Sequence, residues 1–390
     1  MRCESDFVRE TEKAGGRAYI VGGWVRDRLR GAAPHDKDYV VTGLAEDAFT
    51  SAFPDSIKVG QSFPVYRIMV EGEWCDVAFA RSEVKRGRGY RGFYVLASPL
   101  VTLEDDLERR DTTINSMAYA PDEGKLIDPF CGARDIEAGI IRATSEHFLD
   151  DPVRALRAAR QAAQFGYSIE AGTLKMMGAC HDELKEEPGE RLAAELAKAL
   201  ICDEPSVFFR ALNESGVLEA AYPHVSALVG RPPGDGLAFD LAMTVVDRAA
   251  SMTGRAEVVF AALVCCLGED NSELVPLREW NEAMTLPKRW LSSARLAARE
   301  QRKTDDTPPP EKIVDLLAKL RTHPIGLDGF SVVLMALGKN LPDYLRRSGD
   351  YLAAIDSVRA SARPPDLVGP EIGQWLRAAR AAAISELLRD

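Results

Sequence analysis

Asp36 and Asp38, in the run His35-Asp-Lys-Asp-Tyr39, lie one residue apart, a spacing that puts two side chains on the same side of a β-strand. Two carboxylates held together invite a cation. Hard Mg²⁺ takes carboxylate oxygens together with substrate phosphate, and in a two-metal site one ion activates an attacking oxygen while the other steadies a triphosphate and its leaving group. An isolated Asp-x-Asp is more often a polar, solvent-facing edge. Here it follows Gly22-Gly23 and Arg26-Asp27 within one short strand-helix-strand unit. Paired glycines let backbone approach a ligand, and N–H groups at the following helix start favour phosphate. A third carboxylate, Asp76, is the lone acid of the apolar run Trp74 to Phe79. It is either part of the metal cage or an outward-facing residue of an edge strand, and the two readings stand level.

Two further constellations bear on a nucleotide. Arg109-Arg110-Asp111 precedes an apolar helical stripe with Asn115 one turn on. Arginines suit a triphosphate and an aspartate can accept from ribose hydroxyls, although Asp111 could equally cap a helix with Asn115 on its solvent face. Asp151, Arg154, Arg157 and Arg160 follow in Asp-Asp-Pro-Val-Arg-Ala-Leu-Arg-Ala-Ala-Arg160, where Asp151 before Pro152 is an ordinary helix start. That reading leaves the arginines unexplained. A spacing of three puts them on neighbouring positions of one helix face. A carboxylate acceptor beside a guanidinium donor matches the amino group and ring acceptors of cytosine or adenine, whereas uracil and guanine present a carbonyl there.

The elements that must position these residues divide the chain. Strand candidates at 18–21, 39–42, 65–70 and 74–80 alternate with helical pieces up to about residue 142. From Phe148 onward β-runs nearly vanish, and Leu192, Leu196 and Leu200 exemplify the helical period that follows. Punctuation falls at 231–234, 304–310 and 363–365. With 390 residues and 46% hydrophobic content, the chain has material for two or three domains. No apolar run reaches about 18 residues and the N-terminus lacks an apolar signal core, so a soluble cytoplasmic protein is expected. Seven scattered cysteines suggest neither a disulfide framework nor a zinc cluster. The net charge of −11 argues against a generic nucleic-acid binder, so any RNA contact must be local; 81–91 carries five basic residues against one acid.

In their order these motifs resemble the class II tRNA nucleotidyltransferases of the bacterial CCA-adding and poly(A) polymerase type, from about Tyr19 to Pro223. Gly22, Gly23, Val25, Arg26 and Asp27 with Asp36 and Asp38 match the metal and triphosphate motif, and Arg109 to Tyr119 the ribose motif. Ile127 to Arg142 matches the hinge between head and neck, Asp150, Asp151 and Arg154 the base-selecting motif, and Glu190 to Leu196 the last neck motif. The resemblance implies an α+β nucleotidyltransferase head with a mixed or antiparallel sheet over 1–142, a helical neck over 143–223, and an all-α body and tail over 224–390 that grips tRNA. It further implies Mg²⁺, CTP and ATP as ligands, the tRNA 3′ end as partner, and CCA addition by two-metal chemistry.

The segment 81–93 resembles the family's loop for switching from C to A addition, and Gly369 to Leu376 a tail segment. Asp150 stands where glutamate is usual, Gln161 where phenylalanine is usual, and Ser116 where alanine is usual. Many relatives carry a metal phosphohydrolase with a His-Asp pair. Cys265 and Cys266 occupy that place, and Asp240 stands where another ligand is needed, so no such hydrolase is expected. Partial CC- or A-addition, poly(A) synthesis, and a catalytically silent RNA-binding protein are the alternatives.

Overall fold

In the computed structural model the described residues are 2–59, 65–85, 93–231, 238–267, 274–302 and 308–388, without side chains for 83–85 and 93–97. The chain packs as two compact units, one of residues 1–192 and 207–221, the other of residues 193–206 and 222–390. The first opens with helix α1 (Glu4–Lys13), strand β1 (Arg17–Val21), helix α2 (Gly23–Leu29), β2 (Asp38–Thr42) and α3 (Glu46–Ala52). Then come β3 (Ile57–Val59), β4 (Val65–Val70), β5 (Glu73–Phe79), β6 (Arg81–Lys85), β7 (Phe93–Ala97), α4 (Leu103–Glu108), β8 (Ala118–Ala120), β9 (Lys125–Ile127) and α5 (Gly132–Ala138).

Seven strands form one sheet in the order β3-β4-β5-β2-β1-β8-β9. Only β2 and β5 run parallel; the other neighbours are antiparallel. Strand alternation sends Ala18, Ile20, Tyr39, Val41, Ile68 and Val77 to one apolar cluster with Phe7, Phe49 and Phe53. Tyr19, Val21, Val40 and Ala118 go to a second cluster on the other face, which Leu107 of α4 joins. Both faces of the centre are therefore covered. Strands β6 and β7 pair as a separate antiparallel hairpin; residues 86–92, most of the segment likened to the switching loop, lie outside the described residues. So do 232–234 and 304–307 of the expected punctuation.

Beyond the sheet, the two-residue strands β10 (Ile140–Ile141) and β11 (Ser168–Ile169) pair in parallel around helix α6 (Val153–Phe165). The sequence pattern missed β11, too short to show an alternation. In the second unit the described residues form helices and no strand. The architecture is the expected one, a mixed sheet with helices followed by helices.

Candidate active site

The carboxylates come together by a different route from the one the Asp36-x-Asp38 spacing suggests. Strand β2 begins at Asp38, and Asp36 precedes it in a left-handed conformation with φ 53°. The same-side rule of a strand therefore does not reach Asp36, a correction to the sequence reading. What the sheet does supply is register: Asp38 lies opposite Asp76 on the parallel pair β2/β5, so the two side chains share a face. Strand β5 is interior, between β4 and β2, which removes the edge-strand reading of Asp76. Asp76 accepts from Arg67 Nε of β4 at 3.0 Å.

Asp38 sits at the solvent-open end of β2. Lost hydration in the surrounding chain, then the charges of Asp76 and Asp36, push its carboxyl up to about 6 against the opposing pull of Arg110. Repulsion of this kind is what a divalent cation relieves. Among the described residues no three His, Cys, Asp or Glu side chains enclose a metal by themselves. Hard oxygen donors on one open face nevertheless fit an ion such as Mg²⁺, which is commonly held by one or two carboxylates and completed by substrate phosphates.

Gly22 joins β1 to α2 at φ 70°, ψ −128°, a conformation open to glycine and strained for a side chain. A Cβ there would meet Arg110 Nη1 at 3.4 Å, so this turn and Arg110 line one place. Arg110 donates through Nη2 to Asp106 at 2.9 Å, while its buried Nε has no partner. Asp106 is fully buried and binds Arg109 as well as Arg110; despite its burial these guanidiniums hold its carboxyl below the ordinary range. Sequence reasoning passed over Asp106. Its signal was there, an acid on α4 three and four residues ahead of the two arginines that follow the helix.

A second network joins α2, the 109–116 segment and α6. Arg26 clamps Asp27 and donates through Nη1 to Asn115 Oδ1 at 2.7 Å. Asn115 in turn donates to Asp111 at 3.1 Å, so it does not face solvent as a capping reading would have it. Gly23 packs beside the Arg26 guanidinium. Asp111 is buried, and its two oxygens accept from Thr112 N, Asn115, Arg157 and Gln161. Burial opposes ionisation, but the Arg157 charge, those hydrogen bonds and the field of Arg154 hold the carboxyl well below its ordinary value. Gln161 is oriented by Thr112, whose hydroxyl donates to Oε1 at 2.7 Å, and Ser116 bonds Thr144 at 2.6 Å. The residues at two of the sequence departures, 161 and 116, thus belong to one buried polar seam.

The predicted base-selecting residues have separate partners. Asp151 accepts from Val153 N at 3.1 Å, as a helix start does, and from Arg191 Nη2 at 2.7 Å; Arg191 also pairs Glu187. Arg154 is nearly buried and donates to the His147 carbonyl at 2.6 Å, and Arg160 reaches Gln164 at 2.8 Å. Asp150 meets His147 Nδ1 at 2.7 Å. Spacing placed the three arginines near one another on α6 but gave no sight of these distinct partners.

The family model described as the poly A polymerase head domain matches residues 18–142, and that described as the probable RNA and SrmB-binding site of polymerase A matches 166–228. A multifunctional CCA protein of Xanthomonas oryzae pv. oryzae is 35% identical, covering 95% of this chain and 98% of its own length. That of Methylococcus capsulatus is 36% identical, with 95% of each covered. The crystal structure of Bacillus stearothermophilus CCA-adding enzyme in complex with CTP has a TM-score of 0.70 at 24% identity, covering 97% of this chain and 91% of that one. The Thermotoga maritima CCA-adding enzyme complexed with a CCA-bearing tRNA has a TM-score of 0.65 at 21% identity, covering 97% and 93%. At those identities the solved structures speak for a shared fold.

Proposed function

This chain belongs to the family of the multifunctional CCA proteins, and from that premise we propose that it adds CMP and AMP from CTP and ATP to the 3′ end of tRNA. The observation that carries this reading is the register of Asp38 with Asp76 beside the Gly22 turn and Arg110. In this reading Asp36 and Asp38, with Asp76 as third carboxylate, would hold Mg²⁺, which supplies activation of the tRNA 3′-hydroxyl and charge neutralisation at the triphosphate. Gly22, Gly23, Arg26 and Arg110 receive the triphosphate, Arg110 lying beside the Gly22 turn. Asp111 and Asn115 position the ribose. Since Asp111 is filled by protein donors, a ribose hydroxyl enters by displacing one of them, and half-exposed Arg157 is the one with room to move. Asp151 and Arg154, with Arg157 and Arg160 on the same helix, read the base edge. Residues 1–142 serve as catalytic head, 143–223 as neck and 224–390 as the RNA-gripping body and tail. None of the described helices is long and apolar enough to cross a membrane; with tRNA as substrate, work in the cytoplasm is part of the same proposal.

The test is incorporation from each labelled NTP, and from CTP with ATP, onto tRNAs ending before CCA, after C and after CC. A terminated CCA that Asp36→Ala and Asp38→Ala abolish is the expected result. Addition of one nucleotide, of another base, or of an open-ended tail would refute CCA synthesis while sparing the head chemistry; no incorporation would turn the reading to a silent RNA-binding protein.

A further inference from the structure

Of the four acids of helix α4, Glu104, Asp105 and Glu108 are exposed and Asp106 alone is fully buried. The helix that carries it is firmly placed. Thr102 and Asp105 exchange backbone-to-side-chain hydrogen bonds at 2.9 and 3.1 Å across its start, and Leu107 packs into the second apolar cluster of the sheet. The Asp106 carboxylate divides its two oxygens: Oδ1 accepts from Arg109 Nη2 and from Arg81 N at 3.4 Å, and Oδ2 accepts from Arg110 Nη2 at 2.9 Å. Arg109 Nε donates in turn to the Arg81 carbonyl at 2.8 Å. Both backbone groups of Arg81, the first residue of β6 and two past the end of β5, thus hold the Asp106–Arg109 pair in place. Arg110 lies on the other side of this anchored carboxylate. Its only ion pair among the described residues is the one to Asp106, and its Nη1 is the atom that a Cβ on Gly22 would meet at 3.4 Å. An arginine fixed beforehand by such a carboxylate gives up little rotamer freedom when a phosphate arrives.

We propose that Asp106 is a positioning residue for the triphosphate: it does not touch the nucleotide, and acts by holding Arg110 toward the Gly22 turn. This rests on the reading above that the triphosphate lies at that turn. Binding of CTP, ATP and CMP to the full chain is measured by calorimetry with Mg²⁺ present, for the parent, Asp106→Asn, Arg110→Ala and the double variant. Asp106→Asn keeps the shape and removes the charge. It should weaken CTP and ATP alike by about 10-fold or more, while CMP, which has no β- or γ-phosphate, stays within about twofold of the parent. On top of Arg110→Ala the same change should cost CTP less than about twofold, because the route through Arg110 is already gone. Equal loss of CTP and CMP binding would mark Asp106 as a merely structural residue and overturn the proposal. Unaltered CTP binding by a folded Asp106→Asn chain, or a full second loss on top of Arg110→Ala, would overturn it as well. If Asp106→Asn does not fold, Asp106→Glu, which keeps the charge and displaces it by one methylene, takes its place in the cycle with the same outcomes. A parent chain that binds CTP no better than CMP would instead sink the triphosphate reading on which this one rests. The cycle uses no RNA, so it decides the role of Asp106 even in a chain that builds something other than CCA.

Discussion

Asp38 is held in a position that costs stability whenever it is ionised without a counter-cation. Its folded pKa of about 6 lies above the ordinary 3.8, so its contribution to stability is fully present below 3.8 and is lost as pH rises through 6. Asp38→Asn should therefore stabilise the EDTA-treated protein at pH 8, by at most about 1 kcal/mol after allowing for solvent screening, and so raise its melting temperature. That gain should fade below pH 6, and incorporation should be abolished throughout. Equal melting of the two proteins at pH 8 would contradict it. Gln161 offers a buried counterpart. Gln161→Leu removes a donor to Asp111 and strands the Thr112 hydroxyl, an expected loss of about 1 to 3 kcal/mol in denaturant unfolding. If Asp111 serves the ribose, the KM for CTP should rise with it more than kcat falls. The sequence displayed Asp36, Asp38, Asp111 and the arginines because their types and spacing are unusual. Their partners were hidden, since Arg157 and Gln161 meet Asp111 from 46 and 50 residues away, a distance no local period encodes.

At the scale of elements, strands β1, β2, β4 and β5 were legible within a residue or so from their apolar runs, and their pairing was not. Which strand stands beside β2 depends on chain reversals through α3, β3 and β4, so the opposition of Asp38 and Asp76 follows from topology rather than pattern. The left-handed Asp36 was likewise invisible, because a run with one residue between acids reads as a strand until the backbone turns. Helix α5 shows how closely elements meet behind the site. Gly132 lies so near the Thr113 segment that an added Cβ would stand 2.3 Å from the Thr113 carbonyl oxygen. Asp135 of the same helix takes the Thr113 hydroxyl at 2.7 Å and the Arg142 guanidinium. Gly132→Ala should separate α5 from that segment and lower stability by about 1 to 3 kcal/mol or more. A thermal melt unchanged from the parent would show that the contact relaxes at no cost.

For the whole molecule, the expectation from the sequence is that the helical second unit lacks a phosphohydrolase, because Cys265 and Cys266 stand where a His-Asp pair would be needed. Burial pushes the Cys265 thiol up to about 12, and that of Cys266 well above its ordinary value, so without a metal both are neutral thiols near neutral pH. Phosphate release from phosphomonoesters in the presence of Mg²⁺, Mn²⁺ or Ni²⁺ should match a protein-free control; release that a substitution in helix Ala256–Cys266 removes would refute this. The division of the chain has a consequence for how the protein is made. The polypeptide passes between its two units three times, after residues 192, 206 and 221, because each unit takes a strip of sequence from beyond its neighbour's start. A ribosome that has delivered every residue of the acidic site has not yet delivered 207–221. At about 5 to 20 residues per second, the first unit waits roughly 1.5 to 6 s for its last piece, delivered by residue 221. During that interval the nascent chain exposes the surface this piece will cover, and a chain truncated at residue 192 would expose it permanently, a poor way to isolate the catalytic part.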